Sequence, residues 1–106
     1  MKDKKVYIAS PYTKGDNFEN VRKQLDTFNE LTSLGYTPFA PLWSCFQHIV
    51  YPQSWEAWLT WDLKWLTCCD CVLRLPGESK GADVEVERAK ELGIPVYYSI
   101  SDLVMS

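Results

Sequence analysis

The chain has 106 residues, 46% of them hydrophobic and 24% charged, with a net charge of −3. It is too short for two ordinary domains, too apolar for a disordered segment and too acidic for a broad nucleic-acid surface. No apolar run is long enough to span a membrane, and Met1-Lys2-Asp3-Lys4-Lys5 leads into a short strand with no signal peptide, so a cytoplasmic location is expected.

Lys5-Val6-Tyr7-Ile8-Ala9 reads as a first strand ended by Ser10-Pro11. Asp16 or Asn17 caps a predicted helix with Val21, Leu25, Phe28 and Leu31 on one face, closed by Gly35. Tyr36 to Ala40 is a second strand, and Pro38 places it at a sheet edge. Pro41 to Pro52 is read as an aromatic loop, followed by a Trp-rich helix capped by Ser54 and ending near Leu66. Cys71 to Leu75 is a third strand, Gly81 to Leu92 a helix stopped at Gly93, and Pro95 to Tyr98 a fourth strand. Ser101 to Met105 adds a short final turn. Alternation of strand and helix predicts one α/β domain over residues 1–106. Its expected form is a flavodoxin- or Rossmann-like three-layer sandwich with a short, mostly parallel sheet.

Ligands of such folds bind beyond the carboxyl ends of the strands, where strand order reverses. Ala9-Ser10-Pro11-Tyr12 and Pro76-Gly77-Glu78-Ser79 are expected there. Glu85 lies one turn into its helix, with Ala82, Ala89 and Leu92 at helical spacing, so it faces the apolar side. A carboxylate so placed needs a partner or a chemical role. Asp62 interrupts the stripe Trp55, Trp58, Trp65. It is either a partly exposed acid among amphipathic rings or a site carboxyl with a raised pKa. Tyr7, near the end of the first strand, is either a core aromatic or a phenol that orients Glu85. Ser79-Lys80-Gly81-Ala82 opens a helix and has backbone N–H groups for a phosphate, although its spacing is not that of a Walker loop.

Asp70 reads as a brace for the turn that starts the third strand. His48, the single histidine, lies in the aromatic loop with no accompanying nucleophile pattern, and it reads as an exposed loop residue rather than a ligand contact. Cys45, Cys68, Cys69 and Cys71 do not match a common zinc spacing and are read as free thiols, so no metal is expected.

Together these pieces resemble the nucleoside 2-deoxyribosyltransferase superfamily, which includes the 2′-deoxynucleoside 5′-phosphate N-hydrolases. The resemblance rests on Val6-Tyr7-Ile8-Ala9-Ser10-Pro11-Tyr12, Asp62-Leu63, Cys69-Asp70-Cys71-Val72, Ser79 to Glu85 and Gly93-Ile94-Pro95-Val96. It implies that Glu85 is a nucleophile, that Tyr7 positions it, and that Asp62 is the acid near the departing base. It also implies a substrate-binding surface drawn from Ser10, Pro11, Tyr12, Trp58, Gly77, Ser79, Gly81 and Ala82, with no cofactor. The transferases tend to carry Asp where this chain has Ser79, whereas the monophosphate hydrolases carry Ser. A hydroxyl tolerates a phosphate that a carboxylate would repel.

The activity implied is therefore N-glycosidic cleavage of nucleoside 5′-monophosphates, releasing base and sugar phosphate. Base exchange between nucleosides, a non-catalytic nucleotide-binding module, and a flavodoxin-like protein with no nucleotide role are the alternatives. The expected partners are a small nucleotide or nucleoside and, given five Trp residues, a second copy of the chain in a homodimer or larger assembly. Members of the resembled family usually continue past the fourth strand with a segment that completes a neighbour's site. Ser99 and Ser101 are the candidates for that part here.

Overall fold

The computed structural model describes residues 3–12 and 15–106. Among these described residues, four strands, β1 (Lys5–Ala9), β2 (Thr37–Phe39), β3 (Cys71–Arg74) and β4 (Val96–Tyr97), pair in the order β2-β1-β3-β4. All three pairings are parallel. The helices are α1 (Asn17–Ser33), α2 (Ser44–Val50), α3 (Trp55–Leu66), α4 (Lys80–Glu91) and α5 (Ile100–Met105). This is the doubly wound α/β architecture expected from the sequence, with a sheet that is parallel throughout.

Strand alternation divides the core in two. Val6, Ile8, Cys71 and Leu73 face one way, packing with Leu31 of α1 and Leu103 of α5. Tyr7, Ala9 and Val72 face the other, packing with Leu66 of α3 and with Ala82 and Ala89 of α4. Both central strands are thus covered on both faces, as a parallel sheet requires. Pro38 sits in the edge strand β2, where a missing N–H is tolerated.

Local signals set the helix limits. Asp16 caps α1 by accepting from the Phe18 and Glu19 amides, and Ser54 caps α3 by accepting from Ala57. Ser79 caps α4 by accepting from Ala82 at 3.1 Å. Gly35 and Gly93, at φ 94° and 74°, supply the left-handed turn after α1 and α4. Asp70 braces the start of the sheet: its carboxylate accepts from the Lys5 amide at 2.8 Å, and its own amide donates to the Lys5 carbonyl at 2.8 Å.

Two expectations are corrected. The segment read as a loop from Pro41 to Pro52 folds as a 3-10 turn (Pro41–Trp43) running into α2. Seven residues with no side-chain cap, and with Phe46, Ile49 and Val50 turned outward, give no apolar stripe to recognise. On α1 the inward positions are Gln24, Phe28 and Leu31, while Leu25 is exposed.

Gln24 ties three segments together. Its Nε2 donates to the Ile8 carbonyl at 3.2 Å and to Ser10 Oγ at 2.7 Å, and its Oε1 accepts from the Leu42 amide at 2.9 Å. Gln24→Ala strips partners from the end of β1 and from the turn before α2. An expected loss of about 2–4 kcal/mol would be read as a lower urea midpoint with an unchanged m-value.

Candidate active site

Strand order reverses between β1 and β3, and the connections leaving their carboxyl ends frame the site. Glu85, on the inward face of α4, is only 5% exposed. Tyr7 is fully buried on β1 and donates its phenolic O–H to Glu85 Oε2 at 2.5 Å, closing a contact between residues 78 positions apart. Burial pushes the Glu85 carboxyl up to about 8. The Tyr7 hydrogen bond and the Arg74 guanidinium pull it down, while the Asp62 charge adds to the rise. Burial likewise holds the Tyr7 phenol well above its ordinary pKa, so Tyr7 stays a proton donor to the carboxyl.

Asp62 lies on α3 across the same cavity. Its Oδ1 is buried and has no hydrogen-bond partner among the described residues. Burial raises its pKa to about 7. A carboxyl in this state holds a proton near neutral pH and has a position from which to deliver it. The cavity that joins Asp62 to Glu85 measures about 480 Å³, a volume suited to a small-molecule ligand.

The N-terminus of α4 forms one wall of this cavity through Ser79, Lys80, Gly81 and Ala82. Ser79 Oγ takes the Ala82 N–H, which leaves the hydroxyl proton for a ligand, and the Lys80 and Gly81 amides lie in the first turn, outside the helix's own bonding. The Lys80 ammonium lies 5.4 Å from the centre of the Trp55 ring. Amide dipoles, a hydroxyl and one cation on a single wall favour an anionic group.

Residues 4–99 match a family described as a domain of unknown function (DUF7768). The chain belongs to that family. A solved structure of a 2-deoxyribosyltransferase from the psychrotolerant bacterium Bacillus psychrosaccharolyticus is similar to it, with 26% identity and a TM-score of 0.57. That likeness covers 87% of this chain and 69% of the transferase. It places this DUF7768 member in the nucleoside 2-deoxyribosyltransferase-like superfamily. No curated protein matches the sequence.

In this DUF7768 member, the cavity brings together Glu85, Asp62, Ser10, Tyr12, Trp58, Ser79, Gly81 and Ala82, with Tyr7 behind Glu85. Pro11 and Gly77 lie outside it. Pro11 borders a smaller hollow beside α1, and Gly77, at φ 119°, packs so closely that a Cβ there would meet Pro11 Cγ at 2.8 Å. These two residues lock the switch-point loops against each other. Ser99 caps α5 by accepting from the Asp102 amide, and neither it nor Ser101 borders the cavity.

Three polar contributors went unassigned in the sequence. Gln24 had a legible signal: with Val21, Phe28 and Leu31 it follows the same 3-4-3 spacing that singles out Asp62. Arg74 ends an apolar strand on the α4 side of the sheet. It donates to the Leu75 carbonyl, to the Gly77 carbonyl at 2.9 Å and to Asp83 Oδ1 at 3.1 Å. His48 reaches the cavity because α2 turns back toward α3, which no local pattern announces. Among the described residues, no group of three or more His, Cys, Asp or Glu side chains is placed to hold a metal ion. Among the described residues, no helix is long and apolar enough to cross a membrane.

Proposed function

We propose that this protein cleaves the N-glycosidic bond of (deoxy)nucleoside 5′-monophosphates, with Glu85 as nucleophile. The observation that carries the reading is the pairing of a buried Glu85 carboxyl, held by Tyr7, with the orphaned Asp62 oxygen in one cavity. In this scheme the Glu85 carboxylate forms a bond to the anomeric carbon as the bond to the base breaks, and Asp62 gives its proton to the departing base. Water then attacks the anomeric carbon, its proton passes to Asp62, and Glu85 is released with the sugar 5-phosphate. Trp58 in the cavity wall supplies an aromatic face for the base, and the wall at α4 suits the phosphate. The scheme draws on no cofactor.

The test is chromatographic detection of free base after incubation with a panel of deoxynucleoside and ribonucleoside monophosphates, with Glu85→Ala in parallel. Release by the native protein alone supports the reading. Binding without release in either protein supports a nucleotide-binding module instead, and release that depends on an added second base supports exchange.

The phosphate assignment has its own measurement. Ser79→Asp keeps a capping side chain for α4 but places a carboxylate against the anion. It is expected to lower kcat/KM for monophosphates roughly 100-fold or more while changing nucleosides little. Equal effects on both would remove the assignment. Trp61 and Trp65, 38% and 48% exposed, pack with Phe39 into an aromatic face suited to a homodimer or larger assembly. Four free cysteines suit a cytoplasmic setting.

A further inference from the structure

His48 is the single histidine of the sequence. It sits half-buried on α2, in the wall of the cavity that also holds Asp62 and Glu85. Its Nδ1 accepts from the Trp58 indole N–H at 2.7 Å and from the Gln53 backbone N–H at 3.3 Å. A ring nitrogen that accepts carries no proton, so the neutral imidazole bears its proton on Nε2. Among the described residues Nε2 has no hydrogen-bond partner. Trp58 meets the ring edge-on, with centroids 6.1 Å apart. The indole N–H, the only polar group of Trp58, is thus committed to fixing the imidazole.

We propose that His48 is a specificity-determining residue whose Nε2–H donates to a carbonyl oxygen of the nucleobase, selecting bases with an oxo group at that edge over bases with an amino group. The assignment rests on the nucleotide reading above and names the base class that reading leaves open. An amino group opposite Nε2–H would set two donors against each other. Asp62 follows Trp58 by one helical turn on α3, and in its protonated form it is a second donor. The base edge that suits this wall therefore presents acceptors.

The test titrates native protein and His48→Ala by calorimetry with deoxyinosine monophosphate, deoxyadenosine monophosphate and deoxyribose 5-phosphate. The native protein is expected to prefer the oxo nucleotide over the amino nucleotide by roughly 5- to 10-fold. His48→Ala is expected to lose that preference and bind the oxo nucleotide weaker by the same factor, with the sugar phosphate unchanged. Because the chain has one histidine, nitrogen-15 spectra of the native imidazole give an unambiguous second readout that needs no variant. They are expected to show the Nε2–H form in the free protein and a shift of that nitrogen with the oxo nucleotide only. A proton on Nδ1 overturns the assignment, as does an unmoved Nε2 signal or an equal loss for all three ligands in His48→Ala. If the native protein binds none of the three, the assignment falls together with the nucleotide reading. Binding that His48→Ala leaves untouched overturns the assignment alone.

Discussion

Glu85→Gln is expected to reduce base release about ten-thousand-fold while leaving the fold and nucleotide binding in place. Glutamine keeps the size of the side chain and an oxygen to accept from Tyr7, so the 2.5 Å contact has a neutral replacement. What is lost is the carboxylate oxygen that would bond to the anomeric carbon. Trapping distinguishes this role from simple positioning: a slow substrate should add the mass of a sugar phosphate to the native protein and none to the variant. Tyr7→Phe should act on the same group more mildly, by roughly 10- to 100-fold. It removes the hydrogen bond that favours ionised Glu85, so the upper limb of the rate profile, near 8 where Glu85 titrates, should move to higher pH. A Tyr7→Phe enzyme with an unshifted limb would argue that the phenol only fills space.

The second large effect concerns Asp62. Glu85 with a pKa near 8 and Asp62 near 7 share the cavity and influence each other, so the two steps belong to the pair. The competent state carries one proton on Asp62 with Glu85 ionised, and because Glu85 is the weaker acid of the two this is the minor form of the singly protonated pair. kcat/KM should therefore rise as the pair loses its first proton near 7 and fall as it loses the second near 8. Asp62→Asn should remove the falling limb and lower kcat roughly 100- to 10,000-fold for ordinary bases. Deoxyribose 5-phosphate carrying a 4-nitrophenolate leaving group needs no proton, and its rate should largely survive. Loss of both rates alike would mean that Asp62 holds the site together rather than protonating a base.

The same substitution has a readout without substrate. Asp62 has a folded pKa of about 7 against an ordinary value of 3.8, so between these pH values the folded state keeps a proton that the unfolded state has released. Its contribution to stability therefore falls as pH rises through that window and stays low above it. Asp62→Asn should match the native protein near pH 4 and exceed it at pH 8 by on the order of 2 kcal/mol, a figure reduced from the full shift because the side chain is only partly buried. Glu85 acts in the same direction from its ordinary 4.5 to about 8, so native stability should itself decline between mildly acidic and mildly basic pH.

The sequence by itself determined the order of the strands and of the helices other than α2, the edge position of β2, the cap Ser54 and a cap for α1 at Asp16 or Asn17. It also determined that Glu85 faces the core and that an acid breaks the aromatic stripe of α3. Each is a property of one element, readable because a strand repeats every two residues and a helix every 3.6. Tertiary structure decided what those inward groups meet. Periodicity favours Tyr7 as a core aromatic, and only the packing of α4 on the sheet brings its hydroxyl to Glu85. Asp62 was ambiguous until burial left Oδ1 without a partner. Pro11 and Gly77 read as site residues from their place in the switch-point loops, yet they pack on each other outside the cavity. Periodicity gives a side chain's direction about its own axis but no distance to another element, because sheet twist, crossovers and packing set those distances. A seven-residue helix such as α2, with its apolar side chains turned outward, has no stripe of its own to read, and its bond from Trp58 to His48 exists only in the folded chain.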